Sequence, residues 1–237
     1  MPFYHKLGEI PKKRHTVFKS DTEKHRYEEL FGTIGFAGMS SLLYHNQRPT
    51  QVKEVLKTEN AQPEIAEENN IKSRLLKGFD LPKGKGFLES RTPILVNNDC
   101  HISLASPSES MKDHFYKNTD ADELLFIHKG SGTLKTMMGN LEFSYGDYLL
   151  IPRGIIYQIE FNTDENRLFI VESFHPMYTP KRYRNHFGQL LEHSPYCERD
   201  IRRPQNLITK DEKGDFLIKI KKEGMMHHII YGGHPFD

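Results

Sequence analysis

Between residues 92 and 172 the chain is cut into short runs rich in Ile, Val, Leu, Phe and Tyr, separated by turn residues. Pro93–Val96, Ile102–Ala105, Glu123–His128, Thr133–Met137, Leu141–Phe143, Asp147–Ile151, Ile155–Phe161 and Arg167–Glu172 all read as strands. Met138-Gly139-Asn140 is a hairpin-turn candidate, because Gly and Asn tolerate positive φ. Strands this short and this closely spaced predict an antiparallel barrel or sandwich. Two more strands are expected at Phe216–Lys221 and Met226–Tyr231, with a loop-like stretch before them that carries Pro176, Pro180, Pro195 and Pro204. A short helix is expected near Gly188–His193.

The first 85 residues have a different texture, mixed and polar. Glu64 to Lys77 is the helix candidate there, and the rest reads as irregular chain with short strands. Phe31-Gly32-Thr33-Ile34-Gly35-Phe36-Ala37-Gly38 is dotted with glycine but follows no clear strand and lacks the Lys-Ser/Thr ending of a phosphate loop, so it reads as a turn. The expected organisation is an irregular extension over residues 1–85 and a β domain over residues 86–237.

Charge and cysteine content exclude several classes of function. The 237 residues carry 33 basic and 32 acidic side chains with no single-signed block, which argues against nucleic acid or an anionic membrane as partner. No run approaches the ~18 apolar residues of a membrane span, and Met1–Lys6 has no signal-like apolar core. Cys100 and Cys197 make no disulfide framework and no CxxC site. These features together point to a cytoplasmic chain.

The spacing from Tyr116 to Tyr157 is more specific. Glu123 and Gly130 stand in the pattern E-x6-G, and Gly146, Pro152 and Gly154 stand in G-x5-P-x-G. This frame resembles the double motif of the cupin superfamily, G-x5-H-x-H-x3–4-E-x6-G followed by G-x5-P-x-G-x2-H. The resemblance implies a cupin-like antiparallel β-barrel of the jelly-roll type. Ligands two apart on a strand point to one face, so in that family three histidines and a glutamate close on one metal ion inside the barrel. Here the His-x-His position reads Tyr116-Lys117-Asn118, and the last His position is Tyr157. Only Glu123 keeps a ligand residue, so the frame implies the fold without a metal in this barrel.

A second resemblance runs the length of the chain. Met1-Pro2-Phe3-Tyr4-His5-Lys6-Leu7-Gly8-Glu9-Ile10-Pro11-Lys12-Lys13-Arg14-His15-Thr16, Glu29–Phe36 and Gly38–His45 look like the opening of the shorter bacterial homogentisate 1,2-dioxygenases. Asp122–Gly130 with Gly146–Gly154 looks like their first barrel, and His234-Pro235-Phe236-Asp237 like the junction into their second half. The resemblance implies a cytoplasmic homo-oligomer that opens the ring of homogentisate with O2 to give maleylacetoacetate, in tyrosine and phenylalanine breakdown. It implies Fe(II) on two His and one Glu, all in a C-terminal half that this sequence does not include. No catalytic, cofactor-binding or metal-ligating residue is therefore carried onto this chain, which reads as the non-metal N-terminal region. A metal-free, non-enzymatic cupin that binds a small molecule or a partner is the alternative.

Other histidines give no competing metal site. His227 and His228 are adjacent on an expected strand and would point to opposite faces. His114 falls outside the motif spacing, His128 follows the glutamate, and His234 lies six beyond His228. His5 and His15 flank Lys12-Lys13-Arg14, which reads as a solvated loop. Asp120-Ala121-Asp122-Glu123 lacks the spacing of a calcium loop and reads as a turn into a strand.

Overall fold

The computed structural model describes residues 12–13, 16–32, 34–38, 40–67 and 72–237. Fourteen strands lie among them: β1 Tyr27–Phe31, β2 Ser41–His45, β3 Val52–Asn60, β4 Thr92–Val96, β5 Cys100–Ala105, β6 Phe115–Asn118, β7 Asp122–Lys129, β8 Gly132–Thr136, β9 Gly139–Phe143, β10 Tyr148–Ile151, β11 Ile156–Phe161, β12 Arg167–Ser173, β13 Lys213–Lys222 and β14 Met225–Gly233. The chain is mainly β. All ten strands expected from alternation are present, while β1, β2, β3 and β6 had no separate signal. The two helix expectations fail. Within Glu64–Lys77 the described residues form no helix, and Gly188–His193 lies in irregular chain near the isolated bridge between Arg184 and Leu190. The only helical elements among the described residues are single 3-10 turns at Gly78–Asp80, Lys181–Tyr183 and Glu198–Asp200. His5 and His15 lie outside the described residues.

Two sheets build the body. One has the order β10-β7-β12-β5-β4 and the other β3-β14-β13-β6-β11-β8-β9, while β1 and β2 form a separate hairpin. Pairing is antiparallel except between β13 and β6. The sheets face each other across one apolar core. Leu125, Ile127, Leu168 and Ile170 come from the smaller sheet, and Leu134, Tyr157 and Ile159 from the larger. A second cluster of Phe115, Ile156, Ile218, Tyr231 and Phe236 lies around the larger sheet. Hydrogen bonding does not close the two sheets into a barrel, so the pairing describes a sandwich. The seven-stranded sheet draws β3 from the first 85 residues, joined to β14.

The smaller sheet is apolar on both sides. Leu125, Ile127, Leu168 and Ile170 fill the core, while Leu124, Phe126, Phe169 and Val171 alternate with them on the outside. A solvated antiparallel face ordinarily carries polar residues at such positions. Here the segment Leu75–Leu81 crosses part of that face, and Phe79 meets the His128 ring edge-on at 4.8 Å.

The motif glycines earn their places through the backbone. Gly130, at the end of E-x6-G, has φ +109°, and a Cβ there would stand 2.2 Å from the Asn166 side-chain oxygen. Asn166 is buried and bonds Pro107 and Thr163 backbone oxygens, so it cannot swing away freely. Gly154, with φ +86°, donates its N–H to the Asn118 backbone oxygen at 2.7 Å and so ties the second motif turn to β6. Gly130→Ala is expected to lower stability by about 2–4 kcal/mol through combined backbone strain and overpacking. Urea unfolding of the purified variant would measure this, and an unchanged midpoint would contradict it.

Candidate functional site

The four positions where the cupin frame puts metal ligands do converge. Tyr116 and Asn118 point inward from β6, Glu123 from β7 and Tyr157 from β11, and all four are buried. The Tyr116 and Tyr157 rings meet edge-on at 5.4 Å, and the Tyr157 hydroxyl donates to Glu123 Oε2 at 2.7 Å. The other Glu123 oxygen accepts from Arg91 Nη2 at 2.7 Å. Arg91 enters from the turn ahead of β4, with its guanidinium 5.2 Å from the Phe87 ring centre.

A second carboxylate completes the cluster. Glu172, on β12 opposite Glu123, accepts from Asn118 Nδ2 at 2.8 Å and Lys221 Nζ at 2.6 Å, and lies 3.9 Å from Arg91. Burial pushes its carboxyl up, but Arg91 and Lys221 outweigh burial and hold it at about 2. Burial alone would weaken the charge on Arg91, and the two glutamates restore it. Burial, with Glu123 next, drives the Tyr116 and Tyr157 phenols well above their ordinary range, so both stay protonated.

Fe(II) does not fit this donor set. An iron facial triad takes two imidazoles and a carboxylate. The interior offers no imidazole at the motif positions, its phenols are held neutral, and both Glu123 oxygens already accept hydrogen bonds. A guanidinium within hydrogen-bond distance of that carboxylate would also repel a dication.

The remaining histidines scatter. His227 bonds Thr58 on one face of β14, and His228 bonds Glu59 at 2.8 Å on the other. His114 pairs with Asp113 at 2.7 Å while its Nε2 is buried without a partner. His128 is exposed beside Phe79, and His234 packs among Phe115, Phe216 and Phe236. Among the described residues no group of three or more His, Cys, Asp or Glu side chains could hold a metal. No helix among them is long and apolar enough to cross a membrane.

One constellation lies outside the cupin frame. His45, at the end of β2, bonds Glu29 on β1 at 3.0 Å through Nε2 and the Asp237 backbone oxygen at 2.8 Å through Nδ1. Both partners are acceptors, which suits a doubly protonated ring. The Glu29 hydrogen bond raises the His45 pKa above burial's opposing pull, and the same bond lowers that of Glu29. The Asp237 carboxylate accepts from the Asn46 and Gln47 backbone N–H groups. Glu29, His45, Lys117, Tyr231 and His234 line a cavity of about 50 Å3 beside this link. Lys117 is the residue between the two former ligand positions, turned to the opposite side of β6. Burial lowers its pKa, opposed by Glu29.

Comparison with known proteins decides the family. The model described as homogentisate 1,2-dioxygenase N-terminal matches residues 44–237. The chain belongs to that family. Along its whole length it is 37% identical to a protein of Saccharolobus solfataricus named a putative dioxygenase, and it spans 61% of that relative's length. Among solved structures it is similar to a cupin-2 domain protein from Shewanella frigidimarina, at 20% identity and TM-score 0.34, over 40% of this chain and 87% of that one. It is also similar to a cupin superfamily protein from Desulfitobacterium hafniense, at 15% identity and TM-score 0.36, over 45% and 95%. Scores this low carry no argument of their own. The family match takes in the Arg91–Glu123 cluster and both His45 and Asp237, while Glu29 lies ahead of it.

The His45 link predicts a pH window. Raising the His45 pKa above 6.5 gives stability that is full below 6.5 and lost as pH rises through the folded value. Lowering Glu29 below 4.5 gives stability that is full above 4.5 and lost as pH falls through the folded value. The difference in thermal midpoint between the wild-type chain and His45→Gln is therefore expected to be largest between about pH 4.5 and 6.5 and to shrink on either side. Thermal scans from acid to mildly alkaline pH would test it, and a pH-independent difference would remove His45⁺–Glu29⁻ as the cause.

Proposed function

We propose that this chain is the non-metal N-terminal region of a homogentisate 1,2-dioxygenase. In this reading its two sheets form an opened, jelly-roll version of the cupin barrel. The whole enzyme would open the ring of homogentisate with O2 to give maleylacetoacetate, in tyrosine and phenylalanine breakdown, as a cytoplasmic homo-oligomer. Fe(II), the expected cofactor, would be held by the part of the enzyme that corresponds to the rest of the longer relative. The observation that carries this reading is the family match over residues 44–237, joined to a cupin frame whose interior is closed to iron. Length is in keeping with it, since this chain spans 61% of the matched dioxygenase relative.

The role left to this chain is to support and cover. The apolar outer face of the five-stranded sheet suits such a role, because a surface of that kind is normally buried against protein. Oxygen uptake tests the assignment. The purified 237-residue chain, loaded anaerobically with Fe(II) and then given homogentisate and O2, is expected to consume no oxygen and to retain less than one iron per chain. Iron-dependent uptake that follows the chain through purification would overturn it.

One feature favours the alternative of a metal-free binding cupin. A cleft of about 620 Å3 runs between Leu75–Leu81 and the outer sheet face, walled by Leu76, Phe79, Leu104, Phe126 and Phe169. That volume and lining fit a small apolar ligand. Native mass spectrometry separates the two readings. A small molecule retained through purification and lost in Phe126→Lys would favour the binding module, and a ligand-free mass would count against it.

A further inference from the structure

We infer that the interior of the sandwich is a cation site whose occupant is the chain's own Arg91 guanidinium, in the place where the cupin frame seats a metal ion. The frame fixes the seat through Tyr116, Asn118, Glu123 and Tyr157, which come from three strands in two sheets and are all buried at one spot. Glu123 is the only one of the four that kept a ligand residue, and a cation holds it at 2.7 Å. That cation is delivered by a segment outside both motifs. Its side chain is only 11% exposed, and Glu123 and Glu172 are still more deeply buried.

Charge balance closes on these residues. Two carboxylates, Glu123 and Glu172, face two cations, Arg91 and Lys221. Lys221 bonds Glu172 directly, which leaves Glu123 dependent on Arg91. Removing the guanidinium would strand a buried carboxylate, a costly arrangement. The Tyr116 hydroxyl lies buried beside the guanidinium. An emptied seat would therefore present carboxylate and phenol oxygens with no competing positive charge on Glu123. Of these groups the Glu123 carboxylate is the donor a hard dication takes, and Mn(II), which completes its shell with water, is the probe for it.

A double-mutant cycle tests the assignment. Arg91→Ala is expected to lower the thermal midpoint by about 10 °C, as breaking one side of a buried pair does in a chain of this size. Adding Glu123→Gln should restore at least about half of that loss, because the stranded charge is gone. A double variant no more stable than Arg91→Ala overturns the inference, and so does an Arg91→Ala midpoint equal to the wild type. Should Arg91→Ala be recovered only as aggregate, the readout becomes soluble protein regained on adding Glu123→Gln, and none regained overturns it. Where Arg91→Ala is soluble, equilibrium dialysis against Mn(II) is expected to give at least about tenfold tighter binding than the wild-type chain, a shift of one decade in Kd. Equal binding by the two chains overturns the claim that the guanidinium occupies a cation seat.

Discussion

Arg91 and Glu123 meet inside an apolar sandwich, and much else in the structure is arranged so that this pair can exist there. A charge taken out of water is tolerated only when its partner and remaining hydrogen bonds are in place. Glu123 meets that demand with Arg91 on one oxygen and Tyr157 on the other. Each contact crosses between separate segments: the turn before β4, strand β7 of one sheet and strand β11 of the other. A slip of one residue in β7 would turn Glu123 outward and bring Leu124 into the core, because side chains alternate along a strand. The pair therefore penalises a wrong register more sharply than the surrounding leucines and isoleucines, which could repack. Glu172 reinforces the same register from β12, where it stands opposite Glu123.

The two parts of the cupin motif have separated for physical reasons. Its glycines and proline answer to the backbone. Gly130 and Gly154 hold positive φ, and Asn166 crowds Gly130, whatever chemistry the interior performs. Its ligands answer only to a metal. Where the resembled motif has imidazoles, Tyr116 and Tyr157 place phenols that fill the core, and Asn118 serves the local chain. The Asn118 side-chain oxygen accepts from the backbone of Asp120 and Ala121, while its nitrogen donates to Glu172. A residue that caps a turn and holds a carboxylate in place has a structural use that needs no metal at all.

That separation also explains what could be read from the sequence. Strands β7 to β12 were legible because burial makes each a short run of apolar residues bounded by turn residues. Strand β3 was not, since Val52–Asn60 is exposed throughout and mixes Lys and Glu with Val and Leu. Its place beside β14 comes from pairing rather than from a buried stripe. Strand β6 was missed for the opposite reason, with Phe115, Tyr116 and Asn118 all buried and too few residues to show a period. Glu64 to Lys77 was read as a helix, yet Leu75 and Leu76 are exposed and belong to an irregular segment leading onto the outer sheet face. Spacing did pick out Tyr116, Asn118, Glu123 and Tyr157, and all four are buried. Arg91 was not legible, because no motif or periodicity marks a side chain that reaches the core from a turn some thirty residues before its partner.

The smaller sheet joins the closed interior to the question of what the chain supports. Glu123 and Glu172 project inward from β7 and β12, and the next residues along those strands, Leu124 and Val171, project outward beside Phe126 and Phe169. The strands that hold the ion pairs in place thus also carry the apolar outer face. An interior fixed by directional, charge-assisted contacts gives a sheet that resists sliding, and a fixed sheet presents its outer side chains in one arrangement. Complementary packing against another protein surface depends on that kind of rigidity, because a face that shifts register changes which side chains it offers. On the proposed reading, the internal guanidinium stiffens the sheet that carries the apolar outer face. A supporting region of a larger enzyme, as proposed, would require that property.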